Sequence, residues 1–255
     1  MHPQNLGKMK ILVTGANGLL GQHLVKILLE TGHHVVATGK GPCRLLYKEK
    51  HAFIYYPINI TDDEAVGTMM EKERPAVVVH AAAMTQVDEC QLNQQLCEDI
   101  NVKATAQLLL QAESISSHFI YISTDFVFDG EKGDYSEEDH LNPVNWYGFT
   151  KVQAESIVET SEIPWAIVRT CLVYGNTIFG TRSNIVSWVK QNLENGKAIK
   201  VVSDQWRTPT YVEDLARGIL LIIQKKATGI FHISGKDKVT PFDIAIATAN
   251  LFKLD

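Results

Sequence analysis

Short apolar, β-branched runs alternate along the chain with segments whose apolar residues recur at helical spacing. The runs are KILVTG (10–15), HHVVAT (33–38), AFIYYPI (52–58), AVVVHAAA (76–83), HFIYIS (118–123), WAIVRT (165–170), IKVV (199–202) and GIFHIS (229–234). They are nearly continuous in apolar character, the pattern of strands covered on both faces. Between them, Leu20, Leu24, Ile27 and Leu28 share one face of a first helix, and Gly32 stands where it would stop. TDDE predicts a second helix with Thr61 as its cap and Glu64 three residues on, a capping box with acids at the positive end of the dipole. Such strand–helix repetition predicts an α/β fold built on a doubly wound parallel sheet.

The alternation is regular to about residue 170, so residues 9–170 read as a nucleotide-binding domain. Beyond it the spacing loosens into a link, YGNTIFGTRSN (174–184), a helix, a short strand and DQWRTPTYVEDLA (204–216). Residues 171–255 read as a smaller substrate lobe, partly interleaved with the sheet. A last helical run begins near Pro241.

Composition narrows the functions. Apolar residues make up 45% of the 255, enough for a sizeable core, and 21% are charged. A net charge of −5, without a Lys/Arg cluster, gives no footprint for nucleic acid. Cys43, Cys90, Cys97 and Cys171 form no C-x-x-C pair, and the spacing of Cys90 and Cys97 suits two turns of one helix. With no signal peptide they read as reduced, buried thiols of a cytoplasmic protein. No apolar run reaches membrane-spanning length, and GILLIIQKK (218–226) reads as a short buried helix segment. MHPQNLGK is polar, and Met9 would serve equally as a start. The nine histidines include no i, i+4 pair and no H-E-x-x-H, so no metal site is expected.

Candidate chemistry begins at TGANGLLG (14–21), where Gly15, Gly18 and Gly21 join the first strand to the first helix. A glycine turn in that place lets the backbone approach a pyrophosphate, and the helix N-terminus offers free N–H groups to it. This points to a Rossmann-type dinucleotide site. An NAD site usually carries an acid after the second strand; ATGKGPCR has none, and instead offers Lys40 and Arg44. Cations there suit the 2′-phosphate of NADPH, with NADH as the alternative cofactor.

Further on, NPVNWYGFTK places Tyr147 and Lys151 four positions apart. Alone, that is an ordinary helix face. Taken with the glycine turn, YISTDFVFDG (121–130), HAAAMTQVDEC (80–90), RTCLVYG (169–175) and DQWRTPT followed by DLA, the chain resembles the extended short-chain dehydrogenase/reductases, and among them the dTDP-4-dehydrorhamnose reductase group. The resemblance implies that Thr124, Tyr147 and Lys151 are the catalytic residues of an NADPH-dependent reductase of a nucleotide-linked 4-keto-6-deoxy sugar, hydride reaching C4 with Tyr147 as proton donor. The chemistry agrees. A free tyrosine has a pKa near 10, and a neighbouring ammonium is expected to lower it. Thr124 would aim the carbonyl oxygen at Tyr147. The resemblance also implies cofactor contacts at Gly15, Asn17, Gly18, Leu19, Leu20, Gly21, Lys40, Arg44, Asn59, Ile60, Ala81, Ala82 and Ala83, besides Tyr147 and Lys151. Substrate contacts are implied at Thr85, Val87, Asp125, Phe126, Arg207, Pro209 and Thr210.

The chain departs from that group in carrying Leu172 where Trp is usual and Arg207 where glycine is usual. The group also continues beyond the equivalent of LFKLD, so the substrate lobe is expected to be incomplete. The implied partners are a dTDP-linked sugar nucleotide and a second copy in a homodimer. Two alternatives remain. A sugar-nucleotide dehydratase would need an acid where Phe126 stands, and an epimerase usually has the acid missing after the second strand. The regulatory beta subunit of methionine adenosyltransferase shares the fold and many of the motifs, and acts by binding a catalytic partner.

Overall fold

A computed structural model describes residues 7–47, 51–178 and 184–255. β1 (Lys10–Thr14) leads into α1 (Leu19–Glu30), which ends at Thr31 and at Gly32, whose φ of +85° is a left-handed position without penalty for glycine. Next come β2 (His34–Thr38), β3 (Phe53–Tyr56), α2 (Asp63–Glu73) and β4 (Val77–His80). Short α3 (Val87–Leu92) and α4 (Gln94–Glu98) then run through a π-helical turn (Asp99–Lys103) into α5 (Ala104–Ser114). β5 (His118–Thr124) closes in a 3-10 turn (Asp125–Val127), followed by α6 (Trp146–Glu159), β6 (Trp165–Thr170) and β7 (Val173–Tyr174). The chain finishes with α7 (Ile185–Glu194), β8 (Thr210–Tyr211), α8 (Val212–Lys225), β9 (Gly229–His232) and α9 (Pro241–Phe252).

Among the described residues, seven strands form one parallel sheet in the order β3-β2-β1-β4-β5-β6-β9, while β7 and β8 pair separately. The order runs outward from β1 and then jumps back to β4, so the switch point lies between these two strands, where doubly wound sheets bind ligands. Alternate strand residues supply two apolar layers. Leu24, Leu28, Ile219 and Ile223 of α1 and α8 pack on Ile11, Val13, Val79 and Ile120. On the other face Met69, Leu108 and Val158 of α2, α5 and α6 pack on Leu12, Val78, Phe119 and Tyr121. Each such buried side chain stabilises the fold by about 1.5–3 kcal/mol.

The parallel α/β sheet and the helices around Leu24, Ile219 and Pro241 match the sequence reading. Other local features differ. The cap of α2 is Asp62, whose carboxylate accepts from Ala65 N–H, one residue beyond the expected Thr61. Residues 199–202 are not a strand: the segment joins no ladder, and Val202 O accepts instead from the N–H of Phe242 at the start of α9. Cys90 and Cys97 lie on two helices, α3 and α4, broken at Asn93, although both thiols are buried and free. Residues 179–183 of the expected link lie outside the described residues. Among the described residues no helix is long and apolar enough to cross a membrane.

Candidate active site

Thr124 ends β5, and α6 crosses that strand end with Tyr147 and Lys151 on its inner face; their exposures are 6%, 7% and 2%. Asn145 starts α6 by accepting from Gly148 N–H at 2.8 Å. A Cβ on Gly148 would collide with the carbonyl of Phe126, so only glycine lets the helix seat on the turn after Thr124. Tyr147 is packed among Cys90, Cys97, Met84, Val87, Phe126 and Trp146, with the Phe126 ring edge-on at 5.8 Å.

This burial decides the titration. It raises the Tyr147 phenol above its usual range; the Thr124 hydroxyl beside it lowers it, and Asp125 adds to the rise. Lys151 is brought down to about 7 by burial, with Glu155 opposing. Its Nζ donates to Ile122 O at 2.7 Å and lies 3.9 Å from the centre of the Tyr121 ring. The expected depression of Tyr147 by the neighbouring ammonium is not seen: desolvation of the phenolate is the largest influence on the group and raises it.

Thr124 Oγ1 donates to Asp125 Oδ1 at 3.1 Å, and Asp125 Oδ2 pairs with Arg207 Nη2 at 2.7 Å. Arg207 also lies 4.7 Å over the Phe126 ring, donates from Nε to Cys171 Sγ at 3.4 Å, and is anchored by backbone bonds to Val239. The 204–210 stretch thus meets the turn after β5 through charge. Thr85 is exposed, and Val87 packs against the cluster that holds Tyr147. Thr210 was expected to face the substrate, but its side chain is 2% exposed and its hydroxyl donates to Cys171 O at 2.7 Å. It fastens β8 to the end of β6, and Pro209 precedes it in the chain.

The dinucleotide turn sits at the switch point. Gly15 has φ +65°, and a Cβ there would stand 2.8 Å from Ala81 O, so the ends of β1 and β4 approach as only glycine allows. A Cβ on Gly21 would meet the carbonyl of Gly15. α1 begins after Gly18 with no side-chain cap and no acid in its first turn, leaving Leu19 and Leu20 at an N-terminus suited to an anion. These features fit a pyrophosphate. Thr14 Oγ1 accepts from the N–H groups of Ala81 (3.1 Å) and Ala82 (3.0 Å), so its own hydrogen goes to His80 Nδ1 at 2.8 Å. His80 Nε2 then donates to Thr105 Oγ1 (3.0 Å), which donates to Asn101 O (2.7 Å). Burial, with Lys151 second, holds His80 down at about 3, consistent with that neutral tautomer.

At the outer edge, Ile60 is buried in the second layer with Ala82 against it, Asn59 is exposed, and Ala83 is half-buried. Lys40 and Arg44 are exposed on the loop after β2. No group of three or more His, Cys, Asp or Glu among the described residues is placed to hold a metal.

Residues 9–255 match the RmlD substrate binding domain family. The chain belongs to that family. It is 31% identical to methionine adenosyltransferase 2 subunit beta of Rattus norvegicus, covering 98% of this chain and 74% of that one. It is also 31% identical to the dTDP-4-dehydrorhamnose reductase of Aggregatibacter actinomycetemcomitans, covering 93% and 77%. The crystal structure of dTDP-4-dehydrorhamnose reductase from Bacillus anthracis in complex with NADP superposes with a TM-score of 0.85 at 27% identity, covering 98% and 82%.

Three supporting residues escaped the sequence reading. Asn101, turned inward by the π-helical turn, accepts from Met84 N–H (2.8 Å) and donates to Met84 O (3.0 Å) and Thr150 Oγ1 (3.1 Å), tying the 81–84 segment to α6. Gly148 was visible in WYGFTK as a glycine inside a helix, the signal of a close approach. Tyr55 left no signal: it is one aromatic in an apolar strand.

Proposed function

We propose that the protein is an NADPH-dependent reductase of a nucleotide-linked 4-keto-6-deoxy sugar, a dTDP-linked one in the first instance. The observation that carries this reading is the meeting of Thr124, Tyr147 and Lys151 at the strand ends beside the glycine turn. Gly15, Gly18, Gly21 and the first turn of α1 would hold the pyrophosphate, and Lys40 and Arg44 the 2′-phosphate. When bound, the nicotinamide supplies the hydride that reduces the keto carbon. Tyr147 gives its proton to the oxygen of that carbon, and burial keeps the phenol protonated until then. Thr124 orients the oxygen, Lys151 steadies the charge left on Tyr147, and Phe126 and Trp146 exclude water. Asp125, Arg207, Pro209, Thr85 and Val87 line the sugar-nucleotide side. A cytoplasmic homodimer goes with this reading.

Replacing Tyr147 by Phe tests it. Consumption of NADPH or NADH with dTDP-4-keto-6-deoxy sugars is expected to fall by about 10²–10⁴-fold while NADPH binding persists. Unchanged turnover in Tyr147→Phe would sink the assignment. A second reading, a cofactor-binding regulatory subunit, is favoured by the 31% identity to methionine adenosyltransferase 2 subunit beta. Tight NADPH binding without turnover of any nucleotide sugar would support it.

A further inference from the structure

Tyr55 lies on β3, outside the glycine turn and away from the catalytic residues, yet its hydroxyl organises the loop that carries Lys40 and Arg44. The hydroxyl lies 2.9 Å from both Gly39 O and Gly41 O, and it accepts from Asn17 Nδ2 at 2.8 Å. Asn17, within the glycine turn, also donates to Pro42 O at 3.1 Å and accepts from Arg44 N–H at 3.0 Å. Two side chains therefore fix four backbone groups between residues 39 and 44 and bind this loop to the pyrophosphate turn. The charge of Arg44 is close enough to be felt at the Tyr55 phenol. Lys40 and Arg44 themselves are exposed, and among the described residues neither forms an ion pair, so both remain available to an anion.

The same clamp fills the place of a competing recognition. Gly39 follows β2, where a carboxylate that reads an unphosphorylated ribose would stand. A Cβ on Gly39 would sit 3.2 Å from the Tyr55 hydroxyl and 3.5 Å from Asn17 Nδ2. A side chain there would press on the clamp, and the Tyr55 hydroxyl would have to give by a few tenths of an ångström.

We propose that Tyr55, working with Asn17, is a specificity-determining positioning residue that holds the 39–45 loop in the form that accepts a 2′-phosphorylated adenosine. It touches no reacting atom; it acts through Lys40 and Arg44. The inference rests on the NADPH reading and deepens it. Without the hydroxyl the loop keeps its charges but loses their fixed place, so the loss falls on the phosphate-bearing cofactor alone.

The test is direct titration of the purified protein with NADPH and with NADH, followed by nicotinamide fluorescence, for the wild type, Tyr55→Phe and Asn17→Ser. Thermal melts verify that each variant is folded; Tyr55→Phe keeps the ring and its apolar contacts. NADPH dissociation constants are expected to rise about tenfold in Tyr55→Phe, the equivalent of one lost hydrogen-bonding anchor, while those for NADH change less than about twofold. Asn17→Ser is expected to weaken NADPH more than NADH. Equal weakening of both cofactors in Tyr55→Phe, or no weakening, would overturn the role of Tyr55 while leaving the NADPH reading in place. A wild type that binds NADH as tightly as NADPH would overturn the NADPH reading, and this inference with it.

Discussion

Under the proposed function, Lys151 sets function against stability at a single residue. Its ammonium is buried, with one carbonyl and one aromatic face as its near neighbours, and its pKa falls from 10.5 to about 7. Between those values the unfolded chain binds more protons than the folded one, so this residue makes stability rise with pH across that window; below it the penalty is complete. Lys151→Met is therefore expected to raise stability at about pH 6 on the order of 1 kcal/mol, or about 2–4 °C in Tm, with the gain shrinking towards about pH 10. Melting curves at the two pH values check this, and a gain independent of pH would show that the charge is not what burdens the site. The identities of Tyr147 and Lys151 could be read from YGFTK because their spacing is local. Their titration could not: it depends on Cys90, Cys97, Phe126 and Tyr121, which the fold brings in from other segments.

Between elements, α6 is held to β6 by a buried ion pair. Arg169 donates from Nε to both Glu155 oxygens at 3.1 Å and from Nη2 to Oε2 at 2.7 Å, and its Nη1 reaches Glu137 O. Glu155 is one helical turn beyond Lys151, so the pair also fixes the helix that carries Tyr147 and Lys151. Glu155→Ala leaves a buried guanidinium unpaired and is expected to cost about 3–5 kcal/mol, measured by urea unfolding. A cost below about 1 kcal/mol would show that water reaches Arg169 and that α6 is positioned by other contacts. Most strands and long helices were legible from apolar periodicity. The exceptions were elements whose boundaries turn on single polar contacts: the cap of α2 moved to Asp62, and α3 and α4 part at Asn93. IKVV has the composition of a strand but no partner edge, while β7 and β8, two residues each, pair with one another without a run that marks them.

Over the whole molecule, the parallel sheet followed from strand–helix alternation, and the switch point between β1 and β4 explains why the glycine turn and the 81–84 segment face one another. The later part of the chain was harder to read, because its contribution is made at a distance: β9 extends the sheet beside β6, α8 packs on α1, and Arg207 reaches back to Asp125. The site thus joins segments from residues 14–21, 81–87, 124–126, 147–151 and 207–210, each recognisable singly, with mutual geometry that periodicity does not encode. On the proposed function this assembly transfers a hydride rather than merely holding a cofactor. A single-turnover reaction of the protein with NADPH deuterated at the transferable nicotinamide position and a dTDP-4-keto-6-deoxy sugar, the product read by mass spectrometry, separates the two. One deuterium at C4 of a reduced sugar is expected with the wild type, appearing about 10²–10⁴-fold more slowly with Tyr147→Phe; unreacted sugar from wild-type protein saturated with cofactor would rule the transfer out.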